Sequence, residues 1–181
     1  LMDCSICISL EQTSLGTFVR STTSAFLAVE TIHVFALIMV FGTIAIVDLR
    51  LIGVASGNRR FTTLSEELLR WTWKAFIVAA ISGSILFIST ASVYYTNLAF
   101  RAKIVALMFA GINMFIFQFF VYKDVESWDS NSRPPNSARL AGAISLLLWI
   151  SIVVLGRWIG FTKEVKINPS NIESAIGSDF L

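Results

Sequence analysis

From Phe26 to Ala55 the chain is apolar at nearly every position, and between Glu30 and Asp48 the one ionisable side chain is His33, the sole histidine of the protein. The residues between Glu30 and Asp48 rise about 25 Å as a helix, and their apolar flanks extend the run across a bilayer core of about 30 Å. This pattern predicts a membrane-spanning helix over 26–54. A second span is predicted over 71–95, uncharged from Ala75 to Val93, with Trp71 and Trp73 at one end and Tyr94 and Tyr95 at the other. Those aromatic pairs suit the two membrane interfaces. A third span covers 100–122, uncharged from Ile104 to Tyr122, and a fourth covers 138–161. The expected fold is all-α, an integral-membrane antiparallel four-helix bundle occupying 25–161.

The connections carry their own signals. Ser56-Gly57-Asn58-Arg59-Arg60 breaks the chain after the first span, and Thr63 with Glu66 has the spacing of a capping box, which predicts a short amphipathic helix up to Arg70. Thr96-Asn97-Leu98 leaves room only for a tight antiparallel hairpin between spans two and three. Residues 123–137 read as the one true loop, held extended by Pro134 and Pro135. In the tail over 1–24, Leu10, Leu15, Phe18 and Val19 line one side of a short interfacial helix with Arg20 among headgroups. The tail over 162–181 is polar, expected to be partly disordered or docked on a partner.

Helical periodicity places Glu30, His33, Leu37, Ile44 and Asp48 on one face of the first span. Lipid solvates such groups poorly, so this face should turn into protein. Ser82, Ser89 and Ser92 mark a small-residue stripe on span two. Ala138, Gly142, Ser145, Trp149 and Gly156 mark another on span four. Both read as close-packing faces.

Composition agrees: of 181 residues, 55% are hydrophobic and 14% charged, with a mean hydropathy of +0.73. A soluble domain carries about a quarter charged residues. The net charge of +2 is too small to suggest nucleic acid as a partner. The first apolar run begins past residue 24 and is too long for a cleavable signal, so a signal-anchor role fits it better. Four spans put both termini on one side. The opposite side carries Arg50, Arg59, Arg60, Arg70, Lys74, Lys123, Arg133 and Arg139, against Arg20, Arg101, Lys103, Arg157, Lys163 and Lys166 on the terminal side. That excess points to loops in the cytoplasm and both termini outside. Cys4 and Cys7 form Cys-Ser-Ile-Cys; Ile8 stands where a c-type haem site needs His, and two sulfurs do not make a zinc site. The pair reads as unremarkable or disulfide-forming.

Alternating span directions bring Glu30, His33, Tyr94, Arg101, Lys103 and Arg157 to the terminal side of the bilayer. Two readings compete for them. One is a histidine-bearing cationic pocket open to the outer leaflet, suited to haem b, a quinone headgroup or an anionic ligand. The other is a structural network in which Glu30 pairs with Arg101 or Arg157 and Lys103 snorkels. Asp48 reads as an anchor paired with Arg70, Lys74 or Arg139. Asn113 reads as an interhelical hydrogen bond or a ligand contact, packing being favoured, and Met39, Met108 and Met114 as gap fillers.

Glu30-x-x-His33, Asp48-Leu49-Arg50-Leu51, Phe100-Arg101-x-Lys103, Trp128-Asp129 and Gly156-Arg157 resemble an uncharacterised family of bacterial four-span inner-membrane proteins, over residues 10–162. More distantly the chain is similar to the four-helix haem-containing protoporphyrinogen oxidases and the copper-resistance D-type proteins. That likeness implies His33 as a haem-linked histidine, its metal role depending on haem being present, and Lys103 as a functional lysine. Span three has no second histidine, so bis-histidine ligation within one chain is impossible. The leading expectation is a lipophile- or redox-ligand-binding membrane protein working in a complex or homo-oligomer. An accessory subunit without ligand is the alternative, and a small metal or anion transporter the second alternative.

Overall fold

The computed structural model describes residues 4–55, 60–129 and 134–162. Two short helices come first, α1 (Ser5–Glu11) and α2 (Ser14–Ser21), followed by the long α3 (Thr23–Ile52) and α4 (Phe61–Ser89). A six-residue α5 (Ala91–Thr96) leads into α6 (Leu98–Ile116), and α7 (Val125–Trp128) precedes the final α8 (Asn136–Thr162). Among the described residues, four helical stretches are long and apolar enough to cross a membrane: Thr23–Ile52, Phe61–Ser89, Leu98–Trp128 and Asn136–Thr162. They pack antiparallel, with α3 against α4, α6 against α8, and α3 against α8. The all-α four-span architecture expected from the hydrophobic pattern is therefore the one observed, because a long apolar segment in hydrocarbon must satisfy its own backbone groups and a helix does so within the segment.

Several boundaries differ, each for a physical reason. The short helix and the second span are one continuous helix, since nothing between Arg70 and Trp71 breaks the backbone. Its start is not closed by Thr63 and Glu66. Asp129 caps it instead: Oδ1 accepts from Thr62 N at 2.8 Å, Oδ2 from Thr62 Oγ1 at 2.9 Å, and the Asp129 carbonyl from Phe61 N at 3.2 Å. A residue remote in sequence thus satisfies amides that a local box would otherwise serve. Nor is the predicted loop over 123–137 irregular at its beginning. Helix α6 passes through a π turn at Phe117–Val121 and a 3₁₀ turn at Tyr122–Asp124 into α7. Trp128 and Val125 then pack on Phe61, Leu51 and Ala138.

The tight hairpin between spans two and three is also corrected. Helix α4 stops at Ser89, the chain turns through α5, and α4 and α6 do not pack along their lengths. The spans stand in the order α4–α3–α8–α6, leaving a side of the bundle where α4 and α6 lack helix–helix packing. At the terminal end, α1 and α2 are more than an interfacial tail. Both pack on α4, with α1 also on α5 and α2 on α3. Glu11 Oε1 accepts from Ser92 N at 2.7 Å while Oε2 pairs with Arg20 at 3.4 Å. Val19 is buried and Phe18 exposed, so the expected apolar stripe divides between protein and membrane. Cys4 and Cys7 are joined by a disulfide. The expected tail beyond 162 lies outside the described residues.

Small side chains set the helix crossings. Gly142 of α8 lies so close to α3 that an added Cβ would sit 2.9 Å from Leu51 Cβ and 3.1 Å from the Asp48 carbonyl oxygen. Between α3 and α4 the Thr43 and Thr72 hydroxyls bond at 2.7 Å. Asn113 Nδ2 donates to the Ala141 carbonyl at 3.1 Å, tying α6 to α8 as expected of an interhelical hydrogen bond. Chain end α3 closes at Gly53, whose φ of 86° is the left-handed cap that glycine adopts without Cβ strain.

Candidate functional site

On the terminal side, His33 is half-buried against α4. Its Nδ1 lies 2.9 Å from the Ala79 carbonyl oxygen and 3.1 Å from Ser82 Oγ. A carbonyl only accepts, so Nδ1 carries the proton and donates, and in the neutral imidazole the lone pair is then on Nε2. Gly83 makes room for the ring: a Cβ there would meet His33 Cε1 at 2.9 Å. Lys103 of α6 is half-buried within electrostatic reach of the imidazole. Its stem crosses the bare side of Gly156, where an added Cβ would be 3.6 Å from Nζ. Of the sequence-predicted site residues, Lys103 is the one whose charge reaches His33.

Glu30, Arg101 and Arg157 are exposed, and none forms an ion pair with another described residue. Tyr94 is buried, with its ring 5.2 Å from that of Phe100 and 6.2 Å from that of Phe87, in an aromatic cluster at the end of the bundle. Glu30 and Asp48 share a helical face, yet one is exposed and the other buried. Burial follows the α8 crossing at Gly142, over Asp48 and Leu51, rather than the stripe itself. Among the described residues no group of three or more His, Cys, Asp or Glu side chains converges to hold a metal ion.

A second candidate lies toward the other end of the bundle. A cavity of about 530 Å³ runs among α3, α4, α6 and α8 in the half of the bundle nearer the long connections. That volume falls within the usual range of ligand pockets, about 300–1,000 Å³. Its walls are mostly apolar and aromatic, with Phe61, Phe76, Phe117, Trp73, Tyr122 and Trp149 contributing rings. Ser65, Thr72 and Ser145 add hydroxyls, and Asn113 and Gln118 add amides. Asp48 is part of the lining, at 4% exposure. Its Oδ2 has no hydrogen-bond partner, and the Ser145 hydroxyl is the polar neighbour of the carboxyl.

Asp48 is therefore no anchor for a basic residue. Arg139 Nε donates to the Ile52 carbonyl at 3.2 Å and Arg70 Nε to the Glu66 carbonyl at 3.3 Å. Arg50 is fully buried and turns to the Asp129 carbonyl, with Nη2 donating at 3.2 Å. A buried carboxyl oxygen left without a donor costs free energy, on the order of 1–3 kcal/mol and more when charged, so such groups gather at sites. The π turn of α6 lies in the cavity wall, contributing Phe117 and Gln118. Inserted π turns recur at functional positions because they re-aim side chains. Asp48 inside an apolar span was the readable signal for this site; the cavity beside it depends on α4 and α6 standing apart.

Fold and cavity together define a four-span α-helical membrane protein with a ligand-sized space among its spans. The chain belongs to the Family of unknown function (DUF6644), which it matches over residues 9–162. It matches no curated protein and no solved structure.

Proposed function

We propose that this protein binds a lipophilic ligand drawn from the bilayer, in the cavity between α3, α4, α6 and α8. The observation that carries this reading is the buried Asp48 carboxyl, one oxygen unpartnered, in an aromatic cavity of about 530 Å³. The side between α4 and α6 supplies the route, because those helices meet through Phe87 and Phe100 at the terminal end without packing along their lengths, and both are long and apolar enough to cross a membrane. The lipophile-binding role expected from the sequence is kept, and its place moves toward the other end of the bundle.

The test is purification of the full chain in nanodiscs made from its host's lipids, followed by extraction and mass spectrometry. Gly111→Trp is the comparison, since Gly111 lines the cavity and an added Cβ there meets nothing within 4 Å. A lipophile enriched with the wild type and depleted with the variant is expected. Identical extracts would overturn the reading.

A second reading, haem b or a quinone at His33, keeps one supporting observation. Nε2 forms no hydrogen bond with a described residue while Lys103 supplies positive charge nearby. Nε2 would be the ligand for haem iron, or the acceptor for a quinol hydroxyl. A Soret band lost in His33→Ala supports haem, and a colourless wild type counts against it. As an accessory subunit, the chain would offer a partner the exposed rings of Phe109 and Phe115 on α6 and of Phe120 in the π turn that follows it. For orientation we favour periplasmic termini in a bacterial inner membrane. The basic excess on the loop side supports this, as does the Cys4–Cys7 disulfide, a bond that persists in oxidising compartments.

A further inference from the structure

We infer that the cavity selects a lipophilic cation, such as an amphiphilic amine or a phosphonium, whose positive centre lies against the Asp48 carboxyl. This rests on the reading of the cavity as a ligand site. Three observations carry it further. The charged side chains lining the cavity are Asp48 and Glu66, both acidic, and among the described residues no Lys, Arg or His joins them. Among the described residues at this end, Arg50 donates to the Asp129 carbonyl, Arg139 to the Ile52 carbonyl and Arg70 to the Glu66 carbonyl. Third, Trp149, Phe117 and Phe76 present π systems in the same walls.

Each class of occupant meets these walls differently. An anion is repelled by two acids and finds no cationic partner. A neutral hydrocarbon fills the space but leaves Asp48 Oδ2 without a donor, which retains the cost of desolvating that oxygen. A hydrophobic cation offsets that cost with a direct charge contact and gains cation–π attraction from the rings. Its apolar substituents displace lipid tails from the aromatic walls. Glu66 is exposed at the margin, so it contributes less than Asp48, whose carboxyl is shielded from water.

The probe is tetraphenylphosphonium, with tetraphenylborate as an anion of the same shape, measured by equilibrium dialysis against full-length protein in nanodiscs and corrected with empty nanodiscs. The expected result is saturable phosphonium binding, weakened about tenfold or more by Asp48→Asn and less by Asp48→Glu. Borate binding should be weaker, and Asp48→Asn should strengthen it by removing one repelling charge. Equal affinity for both ions, or phosphonium binding unchanged in Asp48→Asn, overturns the proposal. Neutral Nile red separates the two levels of the argument. If it binds saturably, and is excluded by Gly111→Trp, while phosphonium does not bind, the cation proposal falls and the lipophile cavity stands. If neither binds, both fall. Thermal melting of each variant checks that the bundle is intact.

Discussion

Gly142→Ala is the sharpest test of how this bundle is held together. An added Cβ would lie 2.9 Å from Leu51 Cβ, 3.1 Å from the Asp48 carbonyl oxygen and 3.5 Å from Leu51 Cδ1. Carbon atoms pack best at about 3.5–4.0 Å, so the first contact is short by roughly 0.6 Å or more. Neither neighbour can yield easily. One is backbone, and Leu51 is 3% exposed in a cluster with Phe61, Val125, Trp128 and Ala138. Helices α3 and α8 must separate, at about 1–3 kcal/mol for an overpacked contact. Against this, replacing a helical glycine by alanine contributes up to about 1 kcal/mol of propensity. Gly42→Ala receives the same propensity gain with no contact, because an added Cβ there meets nothing within 4 Å. The difference between the two variants therefore isolates the crossing. At about 2–4 °C per kcal/mol for a chain of this size, their melting temperatures should differ by about 2–12 °C, Gly142→Ala the lower. Tryptophan-fluorescence melts of both in one detergent make the measurement. Equal melting temperatures would refute the close crossing.

Other sites make equally definite predictions. Asp129→Ala removes the cap on α4 and should cost about 1–2 kcal/mol, with Thr62→Val adding little on top, because both changes break the Asp129–Thr62 side-chain bond; additive losses in a double-mutant cycle would contradict it. Gly83→Ala should destabilise the wild type by driving a Cβ into the His33 ring, and should be tolerated in a His33→Ala background; an equal loss in both would place the ring elsewhere. The Cys4–Cys7 pair should resist alkylation until reduced and should then react in intact cells with a membrane-impermeant maleimide added outside; labelling only after lysis would reverse the proposed orientation.

Span number, fold class and the polar positions within the spans were legible in the chain, because hydrocarbon imposes a length and an apolarity on any crossing helix regardless of its neighbours. The interhelical role of Asn113 and the close-packing role of Gly142 were legible for a related reason: a polar or small residue in lipid has few uses besides contact with another helix. Periodicity also singled out Asp48, but a helical face does not say what stands opposite it. Whether that carboxyl met Arg139 or a cavity depended on the crossing of α8 over α3 and on α4 and α6 standing apart. Both follow from close approaches between residues far apart in sequence. The same holds at Glu30, on the same stripe yet exposed, and at Asp129, which caps a helix that begins 68 residues before it. One-dimensional pattern fixes what each helix can bury; only the packed arrangement decides which of those groups meet.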